Sequence, residues 1–296
     1  MHVLLDSASL YYRSYYALPE SMTAPDGFPH NAIRGFLGTL AKLVDSWQTA
    51  NIVCAWDVDW RPQWRVDLLP SYKTHRLLDE ATVEEEETPE TLGPQVDGLA
   101  AILDAMGIAR PGSPAHEADD VLATLATSLE DDIVVVSGDR DLVQLVGDRV
   151  RLLLTVNGGM DKWPAMTPSD VMDRFGVRPD QYVDLAVLRG DPSDGIPGIP
   201  GIGAKTAASL LTEFGSLENI IQAAQDPRPP LSAKRAQAIL DGVDYLRAAC
   251  TVATVVRHAP IEWPAGADAD ALARLGAEWG VQRQIEQLQA SLARFA

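Results

Sequence analysis

Nine carboxylates carry most of the chemical information in this 296-residue chain: Asp6, Asp57, Glu117, Asp119, Asp120, Asp139, Asp141, Asp191 and Asp194. All are hard oxygen donors with no His or Cys among them, a set that suits Mg²⁺ or Mn²⁺. Their number is enough for two cations, and two-metal sites activate an attacking water and stabilise a leaving oxygen in phosphodiester hydrolysis. Mg²⁺ keeps several of its waters, so many of these contacts would be outer-sphere. Asp191 and Asp194 share a short turn with Pro192 and Gly195; Gly198, Gly201 and Gly203 follow and run into a helix at Lys205. Glycines let backbone N–H groups approach a bulky anion, and a helix N-terminus carries partial positive charge. Carboxylates able to hold a cation thus abut a phosphate cradle. Taken alone, residues 188–207 also read as a Gly/Pro-rich interdomain loop with solvated acids.

Short apolar runs must position these acids. Residues 2–6 read as a buried strand ending on Asp6, and residues 51–57 as a second ending on Asp57. Residues 132–141 hold a third, with four β-branched residues from Ile133 to Val136, then Gly138 and the pair Asp139 and Asp141 around Arg140. Strands alternating with helical periodicity imply βαβ units and a mainly parallel sheet. In such α/β sheets the functional crevice lies at the carboxyl ends of the strands. Each strand-end aspartate has an ordinary alternative as a turn former or N-cap. Glu117, Asp119 and Asp120 open a helix, where the dipole favours negative charge. Spacing of three puts Glu117 and Asp120 on nearly one face, with Asp119 adjacent. Three acids within four residues repel one another unless a cation is present.

Asn31 is expected to cap a helix with apolar residues at 33, 36, 37, 40, 43, 44 and 47. Residues 94–106 read as another amphipathic helix, 142–146 as a helix start and 150–156 as a fourth strand, with a hairpin turn at 157–159. From Thr167 and Pro168, an N-cap and N1 pair, short helices broken by Gly or Pro continue to residue 253, and an amphipathic tail covers 269–295. The expected organisation is an α/β core over 1–166 and a helical region over 167–296.

The apolar content of 46% with 22% charged residues is that of a globular protein, and no apolar run approaches the ~20 residues of a membrane span. The N-terminus lacks a signal-peptide pattern. Two cysteines, Cys54 and Cys250, exclude a disulfide framework and read as inert thiols. The cytosol is the expected compartment. A net charge of −18 argues against a general nucleic-acid binder. Binding depends on where charges lie, however, and seven of the acids fall in one base-free run, 79–90. Just before it, Trp60, Arg61, Trp64, Arg65, Tyr72, Lys73, His75 and Arg76 interleave rings with cations. Such a stretch can stack on unpaired bases and neutralise phosphates, or form an amphipathic surface helix.

In this order and spacing the motifs resemble the 5′-nuclease family: bacterial 5′–3′ exonucleases, flap endonucleases and the 5′-nuclease domain of family A DNA polymerases. They are Leu4 to Asp6 with Tyr12 and Arg13, Trp56–Asp57, Tyr72–Lys73 with Arg76, Glu117 to Asp120, Ser137 to Asp141 with Gln144, and Gly190 to Asp194 with Ile196 to Ala207. The resemblance spans nearly the whole chain. It implies that Asp6, Asp57, Glu117 and Asp119 hold a first divalent ion. Asp120, Asp139, Asp141, Asp191 and Asp194 would serve a second, with Asp119 between the two. It places Tyr72, Lys73 and Arg76 in a helical arch (about 60–95) whose base contacts the scissile phosphate. It makes Arg13 a further DNA contact. Residues 184–215 become a helix–hairpin–helix gripping duplex through Gly201, Gly203, Lys205 and Thr206. Carbonyls of Pro197, Ile199 and Ile202 would hold K⁺ there.

The implied substrate is DNA with a 5′ flap, nick or junction in replication and repair. A monomer working with a polymerase and a ligase, in the cytoplasm at the nucleoid, completes the expectation. Gly195 stands where the family usually has Asn, the run 79–90 is unusually acidic for a segment near threading single strand, and no polymerase domain follows. A non-catalytic junction binder would lack metal ligands that are all present here. A phosphatase with an aspartyl nucleophile wants a second acid two residues after Asp6, where Ala8 stands. A ribonuclease with a related acidic site would not need the glycine-rich grip.

Overall fold

The strands are β1 (His2–Asp6), β2 (Ile52–Ala55), β3 (Ile133–Ser137), β4 (Val150–Leu154) and β5 (Ala165–Met166). They form one sheet in the order β2-β1-β3-β4-β5. The first four are mutually parallel and β5 pairs antiparallel with β4. The computed structural model describes residues 1–77, 86, 88–228, 230–264 and 266–296. Successive strand side chains face opposite ways, and both sets are apolar here. Leu4, Val53, Val135 and Leu152 enter one core, whereas Val3, Leu5, Cys54, Val134 and Val136 enter the other. A parallel sheet buried on both faces is the result.

The first face is covered by α5 (Ala118–Ser128) and α7 (Tyr182–Arg189). The same core continues into α8 (Ala204–Phe214), α9 (Leu217–Gln225), α10 (Ala233–Asp241) and α11 (Val243–Ala253). The second face is covered by α2 (Asn31–Trp47) and α4 (Gly93–Met106). Two more helices complete it: α12 (Ala269–Trp279) packs on α4, and α13 (Gln282–Ala293) packs on α2. Leu272, Val281, Ile285 and Leu288 are therefore buried against the N-terminal half. The remaining helices are α1 (Ser7–Ala17), α3 (Gln63–Leu68) and α6 (Pro168–Phe175), which Thr167 caps as expected.

Three local expectations are corrected. Asn31 is not an N-cap; it is buried in the first turn of α2, and its Nδ2 donates to Tyr15 O (2.8 Å) and Leu18 O (3.1 Å), tying α2 to α1. The segment after β3 winds as a 3₁₀ turn, Asp141–Leu145. The β4–β5 pair is joined through a further 3₁₀ turn at Met160–Lys162 rather than a tight turn at 157–159. Most of the acidic run 79–90 lies outside the described residues. Within it, Glu86 bridges antiparallel to Leu77 and accepts from Tyr12 OH (3.4 Å).

Candidate active site

Because β1, β2 and β3 are parallel, their carboxyl ends share one edge of the sheet, and the strand-end acids meet there. Asp6 closes β1 and caps α1: its Oδ1 accepts from Ser9 N (3.1 Å) and its Oδ2 from Ser137 Oγ (2.6 Å). Asp57 accepts from Ala118 N (2.7 Å), at the start of α5. Both carboxylates thus sit at helix N-termini, where the backbone dipole supports negative charge. Ser137 Oγ also accepts from Asp139 N (2.9 Å), and Asp139 Oδ1 accepts from Asp141 N (2.9 Å). The ordinary capping role and the site role of Asp6 coexist in one side chain.

These groups line a cleft of about 750 Å³. Asp6, Asp57, Glu117, Asp119, Asp139 and Asp191 border it, with Tyr11, Tyr12, Lys73 and Arg76. Asp141 and Asp194 are buried just beneath, in side-chain contact with each other. Burial and mutual repulsion oppose ionisation at five of these acids. Asp57 is pushed up to about 7 by burial and the Asp6 charge, and Asp139 to about 6 by burial and Asp194. Asp6, Asp119 and Asp141 are raised too, with burial the main cause in each. Glu117 is the exception: burial opposes its charge, but Lys73 and Arg65 outweigh burial and hold it below its ordinary value.

A cluster in which acids outnumber the cations paired with them fits divalent cations. Asp194 Oδ1 is buried with no hydrogen-bond donor among the described residues, and Arg76 Nη2 stands 3.6 Å away. Among the described residues, however, no three His, Cys, Asp or Glu side chains converge closely enough to enclose an ion alone. The donor set and the roomy cleft suit hydrated Mg²⁺-type ions, bound by one or two carboxylates with waters and phosphate oxygens completing the shell.

Asp120 departs from the expected ligand set. It is fully buried, and Arg65 clamps it with Nη2 on Oδ1 (2.8 Å) and Nη1 on Oδ2 (3.0 Å). Val256 N (2.7 Å) and Glu117 N (3.2 Å) donate to the same carboxylate. Its lone pairs are committed, and it does not border the cleft. Arg65 also reaches Glu117 Oε1 (3.0 Å) and Val252 O (3.0 Å), so it joins α3, α5 and α11. Tyr72 likewise points inward: it is 3% exposed and its OH donates to Glu117 Oε1 (2.7 Å). The ring–cation stretch is therefore split, with Arg65 and Tyr72 supporting Glu117 from behind rather than facing a base. Lys73 contacts Glu117 Oε2 through Nζ and borders the cleft. Arg76 donates to Ser193 O (3.0 Å).

Arg13 stacks over Trp163 and donates to Val156 O and Gly158 O (2.7 Å for the latter), fixed to the β4–β5 connection. Gly201 has φ +81° and, like Gly203, open space where a side chain would stand. Gly203 precedes α8, whose first turn carries exposed Lys205 and half-buried Thr206. Ile199 O already accepts from Ile202 N (3.0 Å), while Pro197 is exposed. Tyr245 of α11 was not anticipated. Its OH accepts from Gly198 N (2.8 Å) and donates to Val187 O (3.0 Å), bracing the hairpin. Gln144, part of the quoted motifs, ties Asp141 O (2.8 Å) to Ala253 O (3.0 Å) and accepts from Val255 N (3.1 Å).

Residues 1–176 match the 5′–3′ exonuclease N-terminal resolvase-like domain, and residues 177–273 match the 5′–3′ exonuclease C-terminal SAM fold. The chain belongs to the 5′–3′ exonuclease family. It is 44% identical to a 5′–3′ exonuclease of Streptomyces coelicolor, over 98% of this chain and 99% of that one. It is 34% identical to DNA polymerase I of Bacillus subtilis, over 88% of this chain and 28% of the polymerase. Among solved structures, a T5 5′-exonuclease with bound zinc superposes with a TM-score of 0.68 at 21% identity, covering 99% of this chain and 98% of the other. The catalytic core of Rad2 in complex with DNA superposes at 0.60 and 17% identity, covering 98% and 92%. At these identities the two structures establish the shared fold.

Proposed function

We propose that this chain is a structure-specific 5′ nuclease that hydrolyses DNA phosphodiesters where a 5′ single strand meets duplex, and removes 5′ ends exonucleolytically. The observation that carries this reading is the convergence of the strand-end acids on one cleft, with Lys73 and Arg76 on its rim and a glycine hairpin following Asp194. Asp6, Asp57, Glu117 and Asp119 would hold one Mg²⁺ or Mn²⁺. Asp139, Asp141, Asp191 and Asp194 would serve a second, and Asp120 would support Glu117 from behind through Arg65. Bound there, divalent ions supply charge neutralisation and activation of water for hydrolysis. The T5 relative crystallised with divalent metal supports metal dependence.

The chain's own residues contribute charge and position. Lys73 and Arg76 place cations beside the acids, where a phosphate entering the cleft gains local compensation. Gly201, Gly203 and the first turn of α8 with Lys205 and Thr206 offer backbone N–H groups and one ammonium to the duplex backbone. Arg13, held against the β4–β5 connection, would be a further DNA contact. K⁺ at the carbonyls of Pro197, Ile199 and Ile202 would complete the grip. The polymerase I relatives support a place in replication and repair. In this reading a polymerase and a ligase would act on the same DNA, and the chain would work as a monomer in the cytoplasm.

The test is a duplex with a 5′-labelled single-stranded flap, incubated in Mg²⁺, in Mn²⁺ and in EDTA. Metal-dependent release of a flap-length oligonucleotide is expected. Mononucleotides alone would recast the chain as chiefly exonucleolytic. Absence of cleavage with retained junction binding would refute nuclease action.

A further inference from the structure

Gly195 follows the Asp191–Asp194 turn with φ +69°. A Cβ there would stand 2.0 Å from Ser71 O and 3.2 Å from Lys73 N, so any side chain would have to displace backbone. The close approach is fastened on both sides. Ser71 Oγ donates to Gly195 O (2.7 Å), Lys73 N to Asp194 O (3.1 Å), and Arg76 Nη2 to Ser193 O (3.0 Å). Lys73 itself adopts φ +50°, an uncommon conformation for a residue with a side chain. One backbone–backbone bond and two side-chain-to-carbonyl bonds thus join the segment carrying Lys73 and Arg76 to the turn carrying Asp191 and Asp194.

We infer that Gly195 is a positioning residue: the missing side chain lets the acid-bearing turn lock directly onto the backbone of residues 71–73, fixing Lys73 and Asp194 relative to each other. This rests on the nuclease reading for its consequence, though not for its geometry. Misplacing a reacting group by about 1 Å costs on the order of 10²-fold in rate. Gly195→Ala should therefore lower the single-turnover cleavage rate of saturating flap DNA by roughly 10- to 100-fold. DNA affinity in EDTA should stay within about threefold, since the duplex grip lies at Gly201 to Thr206. Ser71→Ala, which removes one fastening without backbone strain, should show a smaller loss of the same kind and covers the case in which Gly195→Ala does not fold.

Gly27→Ala is the control. Gly27 has φ +92° and open space around its missing side chain, so the substitution brings backbone strain without the collision. The second readout is independent of cleavage: acetylation of Lys73 by acetic anhydride, followed by peptide mass spectrometry. Buried Lys73 should react slowly in the parent and several-fold faster in Gly195→Ala and Ser71→Ala, but not in Gly27→Ala. Parent-like rates and parent-like acetylation in both loop variants would overturn the inference, as would an equal rate loss in Gly27→Ala. If the parent fails to cut the flap, the nuclease reading fails, and the acetylation series still decides whether the lock exists.

Discussion

Adjacent residues on a helix point about 100° apart, and Asp119 and Asp120 show what that rotation does. Asp119 borders the cleft, whereas Asp120 is sealed against Arg65. A buried ion pair stripped of one partner typically loses about 3–5 kcal/mol, because the other charge is left uncompensated. Asp120→Asn should therefore lower unfolding stability by a few kcal/mol, near the bottom of that range, since the amide oxygen still accepts one hydrogen bond. Urea denaturation in EDTA measures it, and Mn²⁺ titration of the folded variant should show unchanged affinity. Unchanged stability with lost Mn²⁺ binding would restore Asp120 to the ligand set. The sequence could not separate the two aspartates, because Arg65 lies 55 residues from Asp120. Arg65 and Tyr72 look like surface cations and rings until the direction of the short helix α3 and of the turn after it is known.

The elements themselves were far more legible. Strand-end Asp6, Asp57 and Asp139 identified the carboxyl edge because β-branched, apolar strands with turn residues behind them leave little choice of topology. Thr167 with Pro168 marked a helix start through local backbone chemistry alone. The docking of α12 and α13 was not legible, since amphipathicity states that a face is buried but not against what. That docking makes Leu288, fully buried, part of the N-terminal core. Leu288→Ala should cost about 2–5 kcal/mol by leaving a cavity. Thermal unfolding should show one transition shifted down as a whole. A separate early transition for the C-terminal helices would show that they are not integrated with α2 and α4.

At the scale of the molecule, a net charge of −18 coexists with a DNA-processing fold because acids are gathered where cations can neutralise them. Asp57 and Asp139 have folded values of about 7 and about 6, above the ordinary aspartate value of ~3.9. The metal-free folded state then holds protons that the unfolded chain releases. The stability tied to these two groups is present below about pH 4 and is lost as pH rises through about 6 to 7. Added Mg²⁺ should thus raise the melting temperature more at pH 7.5 than at pH 5.5, and Asp57→Asn should shrink the difference. Equal gains at both pH values would detach these carboxylates from metal binding.

In the proposed division of labour the strand-end acids perform the cleavage while the hairpin and its neighbours hold the DNA. Asp139→Ala separates the two most directly, because Asp139 borders the cleft at the end of β3, whereas Gly201 to Thr206, the proposed grip, do not border it. Single-turnover cleavage of a 5′ flap in Mg²⁺ should fall by about 10²-fold or more, while binding of the same DNA in EDTA stays within about threefold of the parent. Comparable losses in cleavage and in metal-free binding would contradict the account.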